Sequence, residues 1–282
     1  MHHPQPWTLA LLIAFAGCGG PTEPAEPADP PPATEQPPAP DLDVTPDQLA
    51  DDYENIALVP SVVETQRALE AVGIETQLAD LIPAREMDLT KDTLDEAAVR
   101  TGVVIADMLL TVKTSPSEQL LTHLDHIDKG MTQLQGGEDI HTTIADIQDR
   151  IRGESITRDE LVKELDELSG AVIPELEFNG QERVVPLIQA GSWLEGANLV
   201  AKAVKESGEP AKADSLLKQP AVVDYFIKYV RAEGQEKAPP AVSQKLEASL
   251  VLLKEIAAKT EPMTMEDIDK VIQTTNEVLA LL

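Results

Sequence analysis

Cysteine is almost absent: Cys18 stands alone in 282 residues, so no intramolecular disulfide, CxxC redox pair or cysteine-rich metal cluster can form. Aromatic residues make up only 3% of the chain. A core so poor in rings must be built from Leu, Ile, Val and Ala, which favours helices over a sandwich or barrel. Cations are scarce as well. Against 50 Asp and Glu there are 22 Lys and Arg, giving a formal net charge of −28, and no Lys or Arg precedes Arg67. Nucleic acid is not expected as a partner, because phosphate binding needs clustered basic side chains. Charge-driven docking on anionic lipid is disfavoured for the same reason. The plain reading of the charge is solubility; a cationic partner is the alternative. Beyond the N-terminal segment there is no uninterrupted apolar run of the length a bilayer requires, since Asp107 and Glu195 break the two best candidates. The nucleophile elbow, the phosphate loop and the calcium loop are also missing; Ser192 follows Gly191 but lacks the G-x-S-x-G frame. No enzymatic activity and no cofactor are expected.

The N-terminus has a clear pattern. An apolar run from Trp7 to Gly17 ends in small residues before Cys18. Its length falls short of the roughly 20 residues that span a bilayer and suits the apolar region of a secretory signal. Phe15-Ala16-Gly17-Cys18 resembles the lipobox of bacterial lipoproteins, with Phe15 where that family usually has Leu. The resemblance implies cleavage after residue 17 and lipidation of Cys18 by diacylglycerol and an N-acyl chain. More than one acyl chain suits stable anchoring, since a single chain binds only marginally. Gly19, rather than Asp, follows the cysteine. By the enterobacterial sorting pattern this implies an outer-membrane protein facing the periplasm or the cell surface. The other readings of the segment are an ordinary secretory signal or a free N-terminal cysteine.

Residues 19–46 hold 10 prolines among acids, Ala and Thr. Such a stretch cannot bury a core and is expected to be disordered, with polyproline II character. Fully extended it reaches about 85 Å, at about 3.1 Å per residue. It reads as a spacer for an anchored domain, or alternatively as a ligand for an aromatic groove.

From residue 46 onward the chain predicts one all-α domain, a bundle of about 8–10 helices. Thr45-Pro46-Asp47-Gln48 starts a helix to about Ala57, and a second runs from Pro60 to Val72. A short helix is expected at Thr76–Leu81 and a long, mostly apolar one at Lys91–Lys113. Ser115-Pro116-Ser117-Glu118 reads as a capping box, followed by a seam of Leu120, Leu124, Ile127, Met131 and Leu134. Further helices are expected from Glu138 to Arg152 and from Thr157, with a bend at Pro174 and Gly180. Val184–Ala203 is the most apolar segment of the mature chain and is read as the central helix, ending at Gly208. Pro210–Leu217, Ala221–Arg231, Pro239–Ala258 and a helix from Thr264 complete the set.

Two constellations can carry chemistry. His123 and His126 sit at i and i+3 on one helix flank, with Asp125, Asp128 and His141 as further metal ligands within reach. They read either as a metal site or as a solvated face, with His126 pointing toward solvent. The second constellation is a set of polar residues in apolar helices. Asp107 shares a stripe with Arg100, and Gln189, Ser192, Glu195 and Asn198 form a slanting ridge on the central helix. A buried carboxylate needs a partner, and Arg100, Arg183 or a lysine is expected to supply it. The set reads as a structural network fixing helix register, as a pocket between the two helices for a small polar ligand, or as solvent-exposed groups.

The pieces Gly102-Val103-Val104-Ile105-Ala106-Asp107 and Ala190-Gly191-Ser192-Trp193-Leu194-Glu195-Gly196 are similar to two motifs of helical lipoproteins and secreted proteins of Bacteroidetes-type bacteria. Those motifs read G-V-Y-x-A-D and A-G-G-W-I-E-G. The resemblance covers about residues 100–203 and implies that Asp107 and Glu195 belong to one structural design; it brings no activity with it. The expectation is therefore a lipid-anchored envelope protein comprising a signal (1–17), a lipidated tether (18–45) and a helical domain (46–282). Its domain is expected to be a non-enzymatic binding or scaffold module with an envelope protein as partner. The alternative is a small-ligand or metal sensor that uses the Asp107/Glu195 region or His123 and His126.

Overall fold

Hydroxyl side chains start four of the helices in this computed structural model, which describes residues 59–84, 93–232 and 240–280. Ser61 caps α1 (Val62–Ala71) in a reciprocal box with Glu64. Thr93 caps α2 (Leu94–Thr111) by accepting from the Glu96 amide. α3 (Ser117–Gln133) and α4 (Glu138–Arg152) follow. Thr157 and Glu160 box the start of α5 (Arg158–Phe178). The central helix is α6 (Val185–Ser207), which ends where Gly208 turns left-handed at φ 72°. A single turn, α7 (Asp214–Leu217), leads to α8 (Pro220–Ala232) and α9 (Pro240–Ala257). Thr264 caps α10 (Met265–Leu279). Short 3-10 turns lie at Leu78–Leu81, Glu182–Val184 and Pro210–Ala213. There is no strand among the described residues, so the all-α expectation holds. The signal, Cys18, the tether and the predicted Thr45–Ala57 helix lie outside the described residues.

Two local expectations differ from the structure. Ser115 and Glu118 form no box: α3 begins after Pro116, which makes no side-chain cap bond. Ser115 is buried instead, and its carbonyl oxygen accepts from the Arg158 guanidinium at 2.7 Å. The helix does not end at Pro174 either: α5 runs through it to Phe178, and the turn comes at Gly180, left-handed at φ 72°. Proline normally breaks a helix by losing an N–H and crowding the carbonyl four residues back. Here Val172 and Leu176, both buried, hold the helix to the core on either side of the proline.

Packing makes α6 the shared strut of two apolar cores. Its start (Val185, Leu187, Ile188), with Val184 just before it, joins α2, α3, α4 and α5 in one core. From Ala190 through Val204 it joins α1, α8, α9 and α10 in the other. Its most extensive neighbour is α2, followed by α10. A helix buried on both sides explains why its apolar residues cover nearly the whole circumference. No described helix is long and apolar enough to cross a membrane.

The start of α10 gives an acid-sensitive lock. Asp267 is 2% exposed, and its carboxylate accepts from the Thr264 amide and hydroxyl and pairs with Lys259. Burial alone pushes this carboxyl up, but Lys259 and Thr264 together outweigh it and hold the pKa at about 2. A carboxyl depressed from 3.8 stabilises the fold above that value and loses its contribution as pH falls through about 2. Asp267→Asn is therefore expected to cost about 2 kcal/mol near neutral pH. The difference from the wild-type protein in urea melts should close as the pH approaches 2.

Candidate functional site

Two glycines set the distance between α2 and α6. A Cβ on Gly102 would lie 2.0 Å from the Ile188 carbonyl oxygen, and one on Gly191 would lie 2.0 Å from the Val99 carbonyl oxygen. Each glycine thus occupies a notch in the other helix's backbone. Arg183, just before α6, bonds Asp95 in the first turn of α2 at 2.7 Å, so the two helices run side by side in the same direction. Asp107 comes five residues after Gly102 and Glu195 four after Gly191. Both acids therefore sit at one level, about 6–8 Å beyond the glycine contact at 1.5 Å per residue. The two glycine-plus-acid motifs are the two halves of one crossing.

The polar ridge of α6 is divided among different neighbours. Gln189, half-buried, accepts from the Tyr225 hydroxyl at 3.2 Å; burial pushes that phenol up to about 12. Asn198, 1% exposed, donates to Thr275 Oγ1 at 2.7 Å and to Asn276 Oδ1 at 2.9 Å, tying α6 to α10. Ser192, half-buried, borders a nearly filled apolar slot of about 20 Å³ beside Trp193, whose indole donates to Gln219 at 3.0 Å. Glu195 is fully enclosed at 0% exposure, and Arg100 is buried. Arg183, one of the expected partners of Glu195, lies twelve residues earlier, about 18 Å along the helix, and takes Asp95.

The glycine notches bring the backbones of the Asp107 and Glu195 helices together at Gly102 and Gly191. A cavity of about 380 Å³ opens on another side of α2, toward α3. Val104, Asp107 and Thr111 of α2 line it, with Gln119, Thr122, His123 and His126 of α3 and a cover of Ala79, Ile82, Pro83 and Ala84. The structure thus joins two groups that sequence reasoning kept apart: Asp107 shares one cavity with the histidine pair. Asp107 is 5% exposed, and both imidazoles are half-buried rather than set on a solvated face. Burial, then the neighbouring His126, lowers the pKa of His123; burial, then Lys129, lowers that of His126 against the pull of Asp125. His123 Nδ1 is buried without a hydrogen-bond partner among the described residues.

The other expected metal ligands face elsewhere. Asp125 pairs with Lys129 at 2.7 Å, and Asp128 contacts His141 Nδ1 at 2.7 Å beside a separate surface hollow. Among the described residues no three His, Cys, Asp or Glu side chains are grouped to hold a metal ion. Gln119 and Thr122 were missed, although Gln119, Thr122, His123 and His126 follow helical spacing beside the Leu120, Leu124 and Ile127 seam. The cover of residues 79–84 carried no comparable signal. Comparison of the chain with protein-family models, curated proteins and solved structures finds no match.

Proposed function

We propose that the chain is a lipid-anchored, non-enzymatic binding module of the cell envelope, held at the membrane through Cys18 and displayed on its acidic, proline-rich tether. The observation that carries this reading is the apolar run from Trp7 closing in Ala16-Gly17-Cys18, with ten prolines in the residues that follow. A helical domain with no membrane-crossing helix among its described residues is compatible with attachment by lipid. Fractionation of cells expressing the wild-type chain and Cys18→Ser tests the anchor. The wild-type protein is expected in the membrane fraction and the variant in the soluble fraction. A variant that stays with the membrane like the wild type overturns the anchor. A second reading, small-ligand binding within the helical domain, draws support from one observation: Asp107, His123 and His126 line a single cavity.

A further inference from the structure

Deepening the binding-module reading, and resting on it, we infer that the C-terminal end of α5 is a docking surface for an envelope protein. The partner presents an apolar pocket rimmed by lysine or arginine, and Phe178 is the anchor. Phe178 is 87% exposed and is the one large hydrophobic side chain left on the surface among the described residues. The fold does not need its ring there. Leu161, Leu165, Leu168, Val172 and Leu176 hold α5 to the core. At about 100° per residue, Phe178 lies roughly 120° away from the middle of that buried face. Ala171 and Pro174, both exposed, precede it by seven and four residues and fall on the same side. The ring therefore stands at the end of an exposed apolar strip.

Charge selects the occupant. Glu177 and Glu182 flank Phe178 along the chain. Glu138 and Asp139 flank it in space, because the start of α4 meets the end of α5: a Cβ on Gly137 would lie 2.8 Å from Asn179 Nδ2. These four acids are exposed, and none of them is in an ion pair among the described residues. Between Lys163 and Arg183 the chain has six acids and no lysine or arginine, and the whole chain carries a net charge of −28. Arg183 itself pairs with the nearly buried Asp95. The end of α5 adds the negative pole of its helix dipole, and the face of a phenylalanine ring attracts a lysine or arginine cation. A second copy of this chain would set the same acids against each other, and like charges oppose docking. An anionic bilayer is repelled for the same reason. An aromatic side chain seated in a pocket, with complementary charges at the rim, is the usual form of an interface anchor.

Photo-crosslinking of the full-length chain in its host cells, with benzoylphenylalanine in place of Phe178, tests the inference. The expected result is an adduct with another envelope protein, through an apolar segment flanked by lysine or arginine. Glu177→Lys with Glu182→Lys is expected to lower the adduct yield about tenfold or more, the scale of lost charge complementarity. Glu206→Lys with Glu255→Lys, exposed on α6 and α9, should leave it unchanged. With the partner purified, Phe178→Ala is expected to weaken binding about thirtyfold or more, as truncation of an interface hot spot does. The melting temperature should stay the same, because the ring is exposed. An adduct with a second copy of this chain, with lipid or within the chain itself overturns the inference. So does a partner segment without a flanking base, a yield that survives the Glu177 and Glu182 reversals, or binding unchanged by Phe178→Ala. The same probe at Glu206, Glu255 and Gln273, exposed on α6, α9 and α10, separates this surface from the reading it rests on. Protein adducts there and none at 178 overturn the surface and leave the binding module standing. No protein adduct at any position overturns both.

Discussion

Gly102→Ala is expected to destabilise the protein by about 4 kcal/mol or more, a loss reserved for a few severe mechanisms. Helix propensity alone predicts the opposite sign, because alanine inside a helix is favoured over glycine by about 1 kcal/mol. The conflict is decided by what the new methyl group meets. Its carbon would lie 2.0 Å from the Ile188 carbonyl oxygen and 2.8 Å from the carbonyl carbon, both main-chain atoms. A flexible side chain can swing away from such a contact, but the backbone of a packed helix moves only by separating α2 from α6. Gly191→Ala meets the Val99 carbonyl oxygen at the same 2.0 Å and should be equally damaging. Because both substitutions force the same separation, the double variant should cost clearly less than the sum of the singles, as expected for directly coupled positions. Urea denaturation of the two singles and the double measures this. Stabilisation by either alanine would show that the helices are not held in backbone contact.

Phe226→Ala is expected to cost about 3–5 kcal/mol, the range for truncating a buried aromatic residue. Phe226 is 1% exposed and heads the largest fully buried side chains. Its ring lies 5.5 Å from Trp193 and 5.2 Å from Tyr225, tilted to both, in the range where ring pairs add to burial. The removed ring would leave a void against Trp193, whose indole also borders the apolar slot of about 20 Å³. Trp193 provides a direct readout. Its fluorescence should shift to the red as water approaches the indole, and the thermal midpoint should fall. An unchanged midpoint would mean that α8 is not needed to close the second core.

The glycine pair and the cavity show how far local sequence carries. The helical class was legible because it depends on short-range patterns: few rings, Leu and Ile at three- and four-residue steps, and Ser or Thr starts. Thr157 and Thr264 cap α5 and α10 as their spacing to Glu160 and Asp267 implies. The same logic failed at Ser115 and Pro174, where tertiary contacts outweigh a local preference. Arg158, 43 residues away in sequence, takes the carbonyl of Ser115. The core on either side of Pro174 holds α5 together at a residue that usually ends a helix.

The candidate site was legible in its parts. Asp107, Glu195 and Asn198 stood out as polar residues in apolar helices, and their burial follows the surrounding pattern. Gln189 and Asn198, read as members of one ridge, instead reach α8 and α10 respectively. Members of one slanting ridge change direction along the helix, and each meets whichever neighbour lies there.

By itself the sequence determined that this is an acidic, cysteine-poor chain with an all-α domain whose central helix is apolar on nearly every side. Those properties follow from composition and from interactions within a few residues. Only the tertiary structure decided that Gly102 and Gly191 face one another and that Asp107 shares a cavity with His123 and His126. The physical reason is that such pairings depend on how helices are rotated and paired. That is settled by the packing of the two cores, through contacts between residues far apart in the chain, and the period of a single helix does not contain it.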